Sequence, residues 1–400
     1  MSILFEPMKI GIMEVKNRFV RSATCEAMAK TSGQVTDSLI KTLKTLAKGE
    51  VGLIIPGYMY IHPFGRIFKH QTGIHSDDMI PGLKKMVDAI HQEYGKVAFQ
   101  IAHGGLHASE RVIGTTPIGP SKRVMNPTTM SKPEEMTEEQ IYDSISDFSL
   151  AARRAVLAGA DAIQLHAAHG YLINQFISPF YNRRKDEWSG SDENHFRYLK
   201  EIVIEVKKVV PKDFPLFVKL NTHDHTPKEG VTPNLAVKYS KWLVDLGIDA
   251  LEISCGDTGH SMFSMCRGDV PVKEITQFLP NHIKPIGEQI FNQMVGKFDL
   301  VERYNLEAAK IIKPVLNNIP LIVVGGFRTV SLMEDTLENK HADFISMCRP
   351  FIRDPLLVKN IKEKKIDKVS CISCNRCLAA LPNNFPAKCY VNKFPEKREE

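Results

Sequence analysis

The stretch Asp161–Ser191 reads DAIQLHAAHGYLINQFISPFYNRRKDEWSGS. Its opening run, Asp161–Leu165, is short, apolar and continuous, the pattern of a strand buried on both faces. The run ends in three polar groups close together, His166, His169 and Tyr171. Two imidazoles and a phenol at the C-terminal end of a strand can converge on one small volume. They bring hydrogen-bond donors and a proton source, which is what polarising a carbonyl and protonating a carbon require. A lone histidine in such a place is more often a turn cap or a satisfied core residue. The His-x-x-His-Gly-Tyr grouping favours the functional reading.

Working outward, seven further runs share the apolar, β-branched character of the first: Arg18–Ser22, Val51–Gly57, Val97–His103, Leu216–Asn221, Ala250–Cys255, Leu321–Gly325 and Asp343–Arg349. With Asp161–His166 they make eight predicted strands. Between them, Ser38–Lys48, Gly82–Tyr94, Thr137–Leu157, Phe196–Val210, Asn234–Leu246, Leu306–Leu316 and Ser331–Asn339 carry apolar residues at three- and four-residue spacing and are predicted helices. Strict alternation of this kind predicts an α/β chain folded as a (β/α)8 TIM barrel. An open doubly wound sheet is the rival, but no Gly-x-Gly-x-x-Gly opens any helix. Residues 1–366 are expected to form the barrel and 367–400 a short Cys-rich C-terminal tail. The connections Ala108–Thr137 and Gly256–Val301 exceed ordinary loop lengths. Both follow strands, so they should cover the barrel's C-terminal mouth.

Composition narrows the class. Of 400 residues, 43% are hydrophobic, enough for a large core, and the net charge is a mild +6. No basic stripe with interleaved aromatics points to nucleic acid. The segments Lys362–Lys368 and Lys393–Arg398 are expected to be solvated surface. The N-terminus lacks the basic and apolar regions of a signal peptide. No apolar run approaches the roughly 20 residues of a membrane span. Eight cysteines lie unevenly along the chain, which is unlike a secreted disulfide framework and favours the reducing cytoplasm. A small-molecule substrate is expected. Oligomeric state is not readable, and a homo-oligomer is left open.

In a barrel, the strands' C-terminal ends face one site. Ser22, Ala23, Thr24 and Cys25 follow the first strand, Gly57 ends the second, Gln100 and His103 the third, and Lys219 lies in the fifth. Gly325 and Gly326 follow the seventh strand and Arg349 ends the eighth. A glycine pair exposing backbone N–H groups beside a fixed cation, after strands seven and eight, marks a phosphate site. Alone, the glycines would be a tight turn and the arginine a surface residue. Gln100 offers one acceptor and two donors. Lys219, buried near the barrel axis, needs an anionic partner to keep its charge. A phosphorylated cofactor with an amide-edged ring that becomes anionic on reduction uses all of these, and flavin mononucleotide (FMN) meets that description.

These residues sit in motifs that resemble the old yellow enzyme family of FMN-dependent NAD(P)H:flavin oxidoreductases. The resemblance runs from about Leu4 to Leu357. It includes LFEPMKIG and VKNRFVRSATCE, GLIIPGYMYIHPFGR, VAFQIAHGG, HAAHGYLINQFISPFYNRRKDEWSGSDEN, FVKLNTHD, VVGGF and ADFISMCRPFIRDP. It implies FMN at the barrel mouth, with Ser22–Cys25 and Gly57 near the ring, Gln100 on its pyrimidine edge and Lys219 beside N1 and O2. Gly325, Gly326 and Arg349 would hold the phosphate. It implies that His166 and His169 bind the substrate's carbonyl or nitro oxygen and that Tyr171 is the proton donor. Cys25 matches a cysteine that one bacterial branch keeps beside the flavin. The implied reaction is ping-pong: NADH or NADPH reduces FMN, then an electron-poor alkene is reduced. Three departures stand out. Cys348 replaces a glycine before the phosphate arginine, Leu106-His107 replaces an arginine after the strand-three glycine, and Asn194-His195 replaces Asn-Arg.

Cys371, Cys374, Cys377 and Cys389 form a C-x2-C-x2-C-x11-C pattern. Four thiolates so spaced can bind [4Fe–4S] or Zn²⁺, and an unmetallated loop is the third reading. The pattern resembles the cluster motif of the trimethylamine dehydrogenase and 2,4-dienoyl-CoA reductase branch. Relatives there carry a further C-terminal domain that passes electrons through the cluster. This sequence ends at Glu400, so no electron source is expected within it. Cys255, Cys266 and Cys348 lie outside this pattern and are expected to be ordinary reduced thiols. The leading expectation is thus an ene-reductase. A flavin/iron–sulfur dehydrogenase or demethylase feeding an external carrier is the alternative. A non-catalytic redox sensor is the third reading, disfavoured because a sensor needs no proton donor.

Overall fold

The computed structural model describes residues 2–122 and 131–396. The expectations touching 123–130 of the first long connection and 397–400 of the tail lie outside the described residues. Eight parallel strands close on themselves: β1 Phe19–Arg21, β2 Leu53–Ile54, β3 Lys96–Ala102, β4 Ala162–Ala167, β5 Leu216–Asn221, β6 Ala250–Ser254, β7 Leu321–Val324 and β8 Phe344–Met347. The last strand pairs with the first through Ile345 opposite Phe19, which seals the barrel. Every run predicted as a barrel strand is one.

The strands alternate around two cores. Outward residues such as Phe99, Ile163, Leu165, Val218, Leu251, Val323 and Ile345 belong to the large cluster under the helices. Inward residues Val20, Ala98, Ala162, Phe217, Ala250, Ile322 and Phe344 form a separate cluster inside the barrel. An antiparallel hairpin, Met8–Ile10 with Met13–Val15, plugs its N-terminal end with Ile10, Met13 and Val15. One pleat higher, the inward positions turn polar: Ser22, Gln100, Gln164, Lys219, Glu252 and Ser346. Because side chains repeat every second residue, that polar layer sits directly on the apolar plug and under the mouth.

The helices α1 Asp37–Lys48, α2 Ile80–His91, α3 Glu138–Leu157, α4 Asp192–Val209, α5 Pro233–Asp245, α6 Leu306–Ile312 and α7 Val330–Glu338 fill the expected intervals. Helix α3 starts at a capping box in which Thr137 Oγ1 accepts from Gln140 N at 3.2 Å and Gln140 Oε1 accepts from Thr137 N at 2.9 Å. Its buried face, Ile141, Ile145, Phe148 and Ala152, packs on the strands. Among the described residues, no helix is long and apolar enough to cross a membrane.

The tail lies against the barrel mouth. Ala387 N donates to Glu26 O at 2.8 Å, Arg328 Nη2 to Ser373 Oγ at 2.7 Å, and Arg349 Nη1 to Asn375 Oδ1 at 2.6 Å.

Candidate active site

The mouth holds a cavity with about 1110 Å³ of empty space. Of the residues singled out in the sequence, Ala23, Thr24, Cys25, His169, Tyr171, Lys219, Gly325, Gly326 and Arg349 line it. Ser22 touches the lining through Lys219 and His166 through His169 and Tyr171, while Gln100 lies one residue further in, bonded to Gln164. Gly57 stands apart from the lining. Its N–H donates to both carboxylate oxygens of Glu26, at 3.1 and 3.0 Å, and Glu26 is held by Arg21 at 2.7 Å. Gly57 therefore supports the Ser22–Cys25 loop and has no backbone donor left for a ligand.

The floor is a hydrogen-bonded network centred on the Glu252 carboxylate, which is fully buried. Its carboxylate accepts from Ser22 Oγ at 2.6 Å, Gln164 Nε2 at 2.8 Å, Ser346 Oγ at 3.0 Å and Lys219 Nζ at 3.2 Å. Lys219 also donates to Ser22 Oγ at 2.7 Å. The anionic partner required by a buried lysine is thus already in the protein, whereas the sequence reading left that place to a cofactor. Glu252 was missed although it is the lone acid in the apolar run Ala250–Cys255, a visible signal. Gln100 donates to Gln164 Oε1 at 2.7 Å, while its own Oε1 is buried without a partner among the described residues. An orphaned buried acceptor waits for a donor.

Above the floor, three rings meet. His166 and His169 lie edge to face at 5.0 Å between centroids, and His166 and Tyr171 at 4.9 Å. Tyr58, which the sequence reading passed over, joins them: its ring is 5.1 Å from that of Tyr171, and Tyr171 OH donates to Tyr58 OH at 3.0 Å. His166 Nδ1 is buried with no partner among the described residues. His169 Nε2 pairs with Ser254 Oγ at 2.7 Å.

His169 adopts φ 63°, a left-handed conformation that costs a non-glycine residue about 1–2 kcal/mol. It is held there from both sides. Its N–H donates to Asn221 Oδ1 at 3.2 Å, and its carbonyl accepts from Thr258 N and Oγ1 at 3.1 and 2.8 Å. The next residue, Gly170, is also left-handed, at φ 79°, and a side chain there would strike the Asp257 carboxylate. This double kink turns His169 back over the strand end beside His166.

Burial sets the charges. It holds both His166 and His169 well below the ordinary imidazole range, helped by the Lys219 cation, so both are neutral near pH 7. Burial raises Tyr171 above the ordinary phenol range, so its proton stays on. Burial likewise pushes the Cys25 thiol up to about 12.

At the other end of the cavity, Gly325 and Gly326 expose backbone at φ 150° and 74°, conformations a side chain would resist. Arg349 and Arg328 flank them, and Cys266 and Cys348 line the same end. Cys348 stands directly before Arg349, as its sequence position requires, whereas Cys266 was read only as an ordinary thiol outside the tail pattern. Cys266 reaches this end because the 256–301 connection folds over the mouth, where Thr258, Met262 and Met265 also line the cavity. A second pocket, with about 350 Å³ of empty space, is lined by Cys371, Cys374, Cys377 and Cys389 together. Cys377 lines both cavities. All eight cysteines are free thiols. Among the described residues, no three metal-ligating groups converge tightly enough for a single ion.

Against known proteins, the model of the NADH:flavin oxidoreductase / NADH oxidase family matches residues 3–277 and 270–368. A 4,4'-dithiodibutanoate disulfide reductase of Rhodococcus erythropolis is 30% identical over 383 residues, 94% of this chain and 93% of the relative. An NADPH dehydrogenase of Bacillus cytotoxicus is 35% identical over 353 residues, 88% of this chain and 90% of the relative. Among solved structures, a 2-naphthoyl-CoA reductase superposes with TM-score 0.84 at 27% identity, covering 98% of this chain. The chain spans 57% of that protein. Morphinone reductase shares the fold, with TM-score 0.72 at 22% identity and 93% of each chain covered.

Proposed function

The chain belongs to the NADH:flavin oxidoreductase / NADH oxidase family, and from that premise we propose that it reduces an activated C=C bond of an enone- or enoate-like small molecule. The family's enzymes are FMN-dependent oxidoreductases that use NADH or NADPH. The observation that carries the proposal is the meeting of His166, His169 and Tyr171 over one cavity with Cys25, Lys219 and Arg349.

The cavity suits FMN. The orphaned Gln100 Oε1 suits a ring N–H, Lys219 suits an electron-rich ring edge, and the Gly325–Gly326 backbone with Arg349 suits a phosphate. Ser22, Ala23, Thr24 and Cys25 would border the ring. When bound, FMN supplies the hydride.

The remaining work falls to side chains. Neutral His166 and His169 donate N–H bonds to the substrate's activating oxygen. Negative charge grows on that oxygen as the β-carbon is reduced, so the donors act as an oxyanion hole worth about 3 kcal/mol each. Tyr171, still protonated, gives its proton to the α-carbon and completes the addition of two hydrogens. Replacing Tyr171 with Phe should lower enone turnover about 10²-fold while NAD(P)H still bleaches the flavin. Equal turnover in the variant would remove Tyr171 from that role.

A second element follows from the tail. We propose that Cys371, Cys374, Cys377 and Cys389 hold a [4Fe–4S] cluster. Four thiols around one shared pocket suit a cluster better than a lone zinc ion, which needs its ligands drawn together at about 2.3 Å. Cys377, shared by both cavities, favours electron exchange between the two centres, and that supports the flavin/iron–sulfur dehydrogenase as the runner-up. Free thiols throughout support a cytoplasmic setting. An anaerobic absorption spectrum, with flavin, iron and zinc quantified, tests all of this. About one FMN and about four irons per chain are expected. Absence of flavin after reconstitution would overturn the central reading.

A further inference from the structure

The tail does more than present thiols. Its other face enters the catalytic cavity. Leu378, Leu381 and Ala387 line that cavity on the side of Cys25, Tyr58 and Tyr171. Leu381 and Ala387 belong to one buried apolar cluster with those three residues, and Leu378 and Phe68 pack against it. The tail is fixed in this place. Ala387 N donates to Glu26 O at 2.8 Å, the same Glu26 that supports the Ser22–Cys25 loop. Asn383 Nδ2 donates to Glu274 O at 2.9 Å and to Ala379 O at 2.8 Å. The turn carrying Leu378 begins at Asn375, itself bonded to Arg349.

Charge is placed elsewhere. Among the described residues, the formally charged ones lining the cavity are Lys219, Arg328 and Arg349. Lys219 is tied to Glu252 in the floor, while Arg328 and Arg349 are tied to the 371–375 loop at the glycine end. Among the described residues, the wall facing Tyr171 is therefore leucine, alanine and phenylalanine, without a formal charge.

We propose that Leu378 and Leu381 of the cysteine tail are specificity-determining residues, forming an apolar wall that selects neutral, electron-poor alkenes bearing an aromatic ring or bulky hydrocarbon group. The inference rests on the C=C reductase reading. An apolar ring seated on this wall leaves water, while a carboxylate or phosphate there would lose its hydration with no cation among the described residues to receive it. One apolar contact of this size changes substrate preference by about 10-fold or more.

The test compares 4-phenyl-3-buten-2-one with 2-cyclohexenone in the FMN-loaded full chain, for wild type, Leu378→Ala, Leu381→Ala and the volume-conserving Leu378→Met and Leu381→Met. The ratio of kcat/KM, phenyl-substituted over small, should fall about 10-fold in the alanine variants and recover in the methionine ones. Titration of the oxidised protein with 4-phenylphenol and phenol, followed by flavin absorbance, gives a readout independent of turnover. Affinity should fall for the larger phenol alone. Equal losses for large and small ligands, or an unchanged ratio, would overturn the wall. If wild type reduces neither alkene and binds neither phenol, the reductase reading itself fails, and the wall with it.

Discussion

The floor of the cavity and the ring cluster above it are built on opposite rules. Around Glu252, four donors from four different strands or strand ends satisfy one carboxylate, and the buried lysine is among them. Above it, His166 Nδ1 is buried without a partner among the described residues and His169 is held in a strained backbone conformation, and at the floor's own edge Gln100 Oε1 is likewise left without a partner. A satisfied network fixes geometry. An unsatisfied one stores capacity for a ligand, since strain and orphaned groups persist only where the surroundings over-determine them. The contrast separates scaffold from chemistry without reference to any relative.

Breaking the upper layer should cost activity and spare the fold. His166→Ala with His169→Ala removes both proposed oxyanion donors. At about 10²-fold each, enone kcat/KM should fall about 10⁴-fold, with phenol binding lost and flavin retained. Unchanged turnover and phenol affinity would show that the pair is not the oxyanion hole.

Breaking the lower layer should do the reverse. Glu252→Gln leaves Lys219 as a buried charge with no counter-ion, so stability should fall by about 3–5 kcal/mol. Urea unfolding measures this directly. A loss below about 1 kcal/mol would mean that water or a rearranged partner already shields Lys219.

The last test sharpens the comparison through pH. His166 and His169 are held well below the usual imidazole range, and burial lowers His103 to about 3. In each case the unfolded chain binds a proton the folded chain refuses. Stability is therefore complete above the unfolded value near 6.5 and falls with acidification below it, by up to about 1.4 kcal/mol per pH unit for each histidine. Asp224, raised to about 6 by burial, works in the opposite sense between its two values and offsets part of the slope. Urea midpoints from pH 7.5 to 5 should show the decline, and His103→Gln should flatten it by one proton. A flat wild-type curve would mean that the histidines are already protonated in the fold.

Much of this was legible early. The eight strands and their helices declare themselves locally, because burial on both faces leaves continuous apolar runs and helix burial leaves a three-four pattern. Once a barrel is inferred, the strand ends become the site by topology alone, which is why His166, His169, Tyr171, Gln100, Lys219 and Arg349 could be singled out before any coordinates. The partner of the Gly57 N–H could not be read locally, since it is a carboxylate 31 positions away.

The chain by itself determined the alternation of elements, the side-chain types at the mouth and the four-thiol pattern, all of which depend on spacing within a few residues. Only the closed tertiary structure decided who partners whom. Ser22 meets Glu252 across 230 positions, Tyr171 meets Tyr58 across 113, and Arg349 meets the tail's Asn375 across 26. Such pairs arise from barrel closure and from the tail lying over the mouth. Local spacing carries no record of either, because an inward-facing acid and an inward-facing lysine become neighbours only when their strands do.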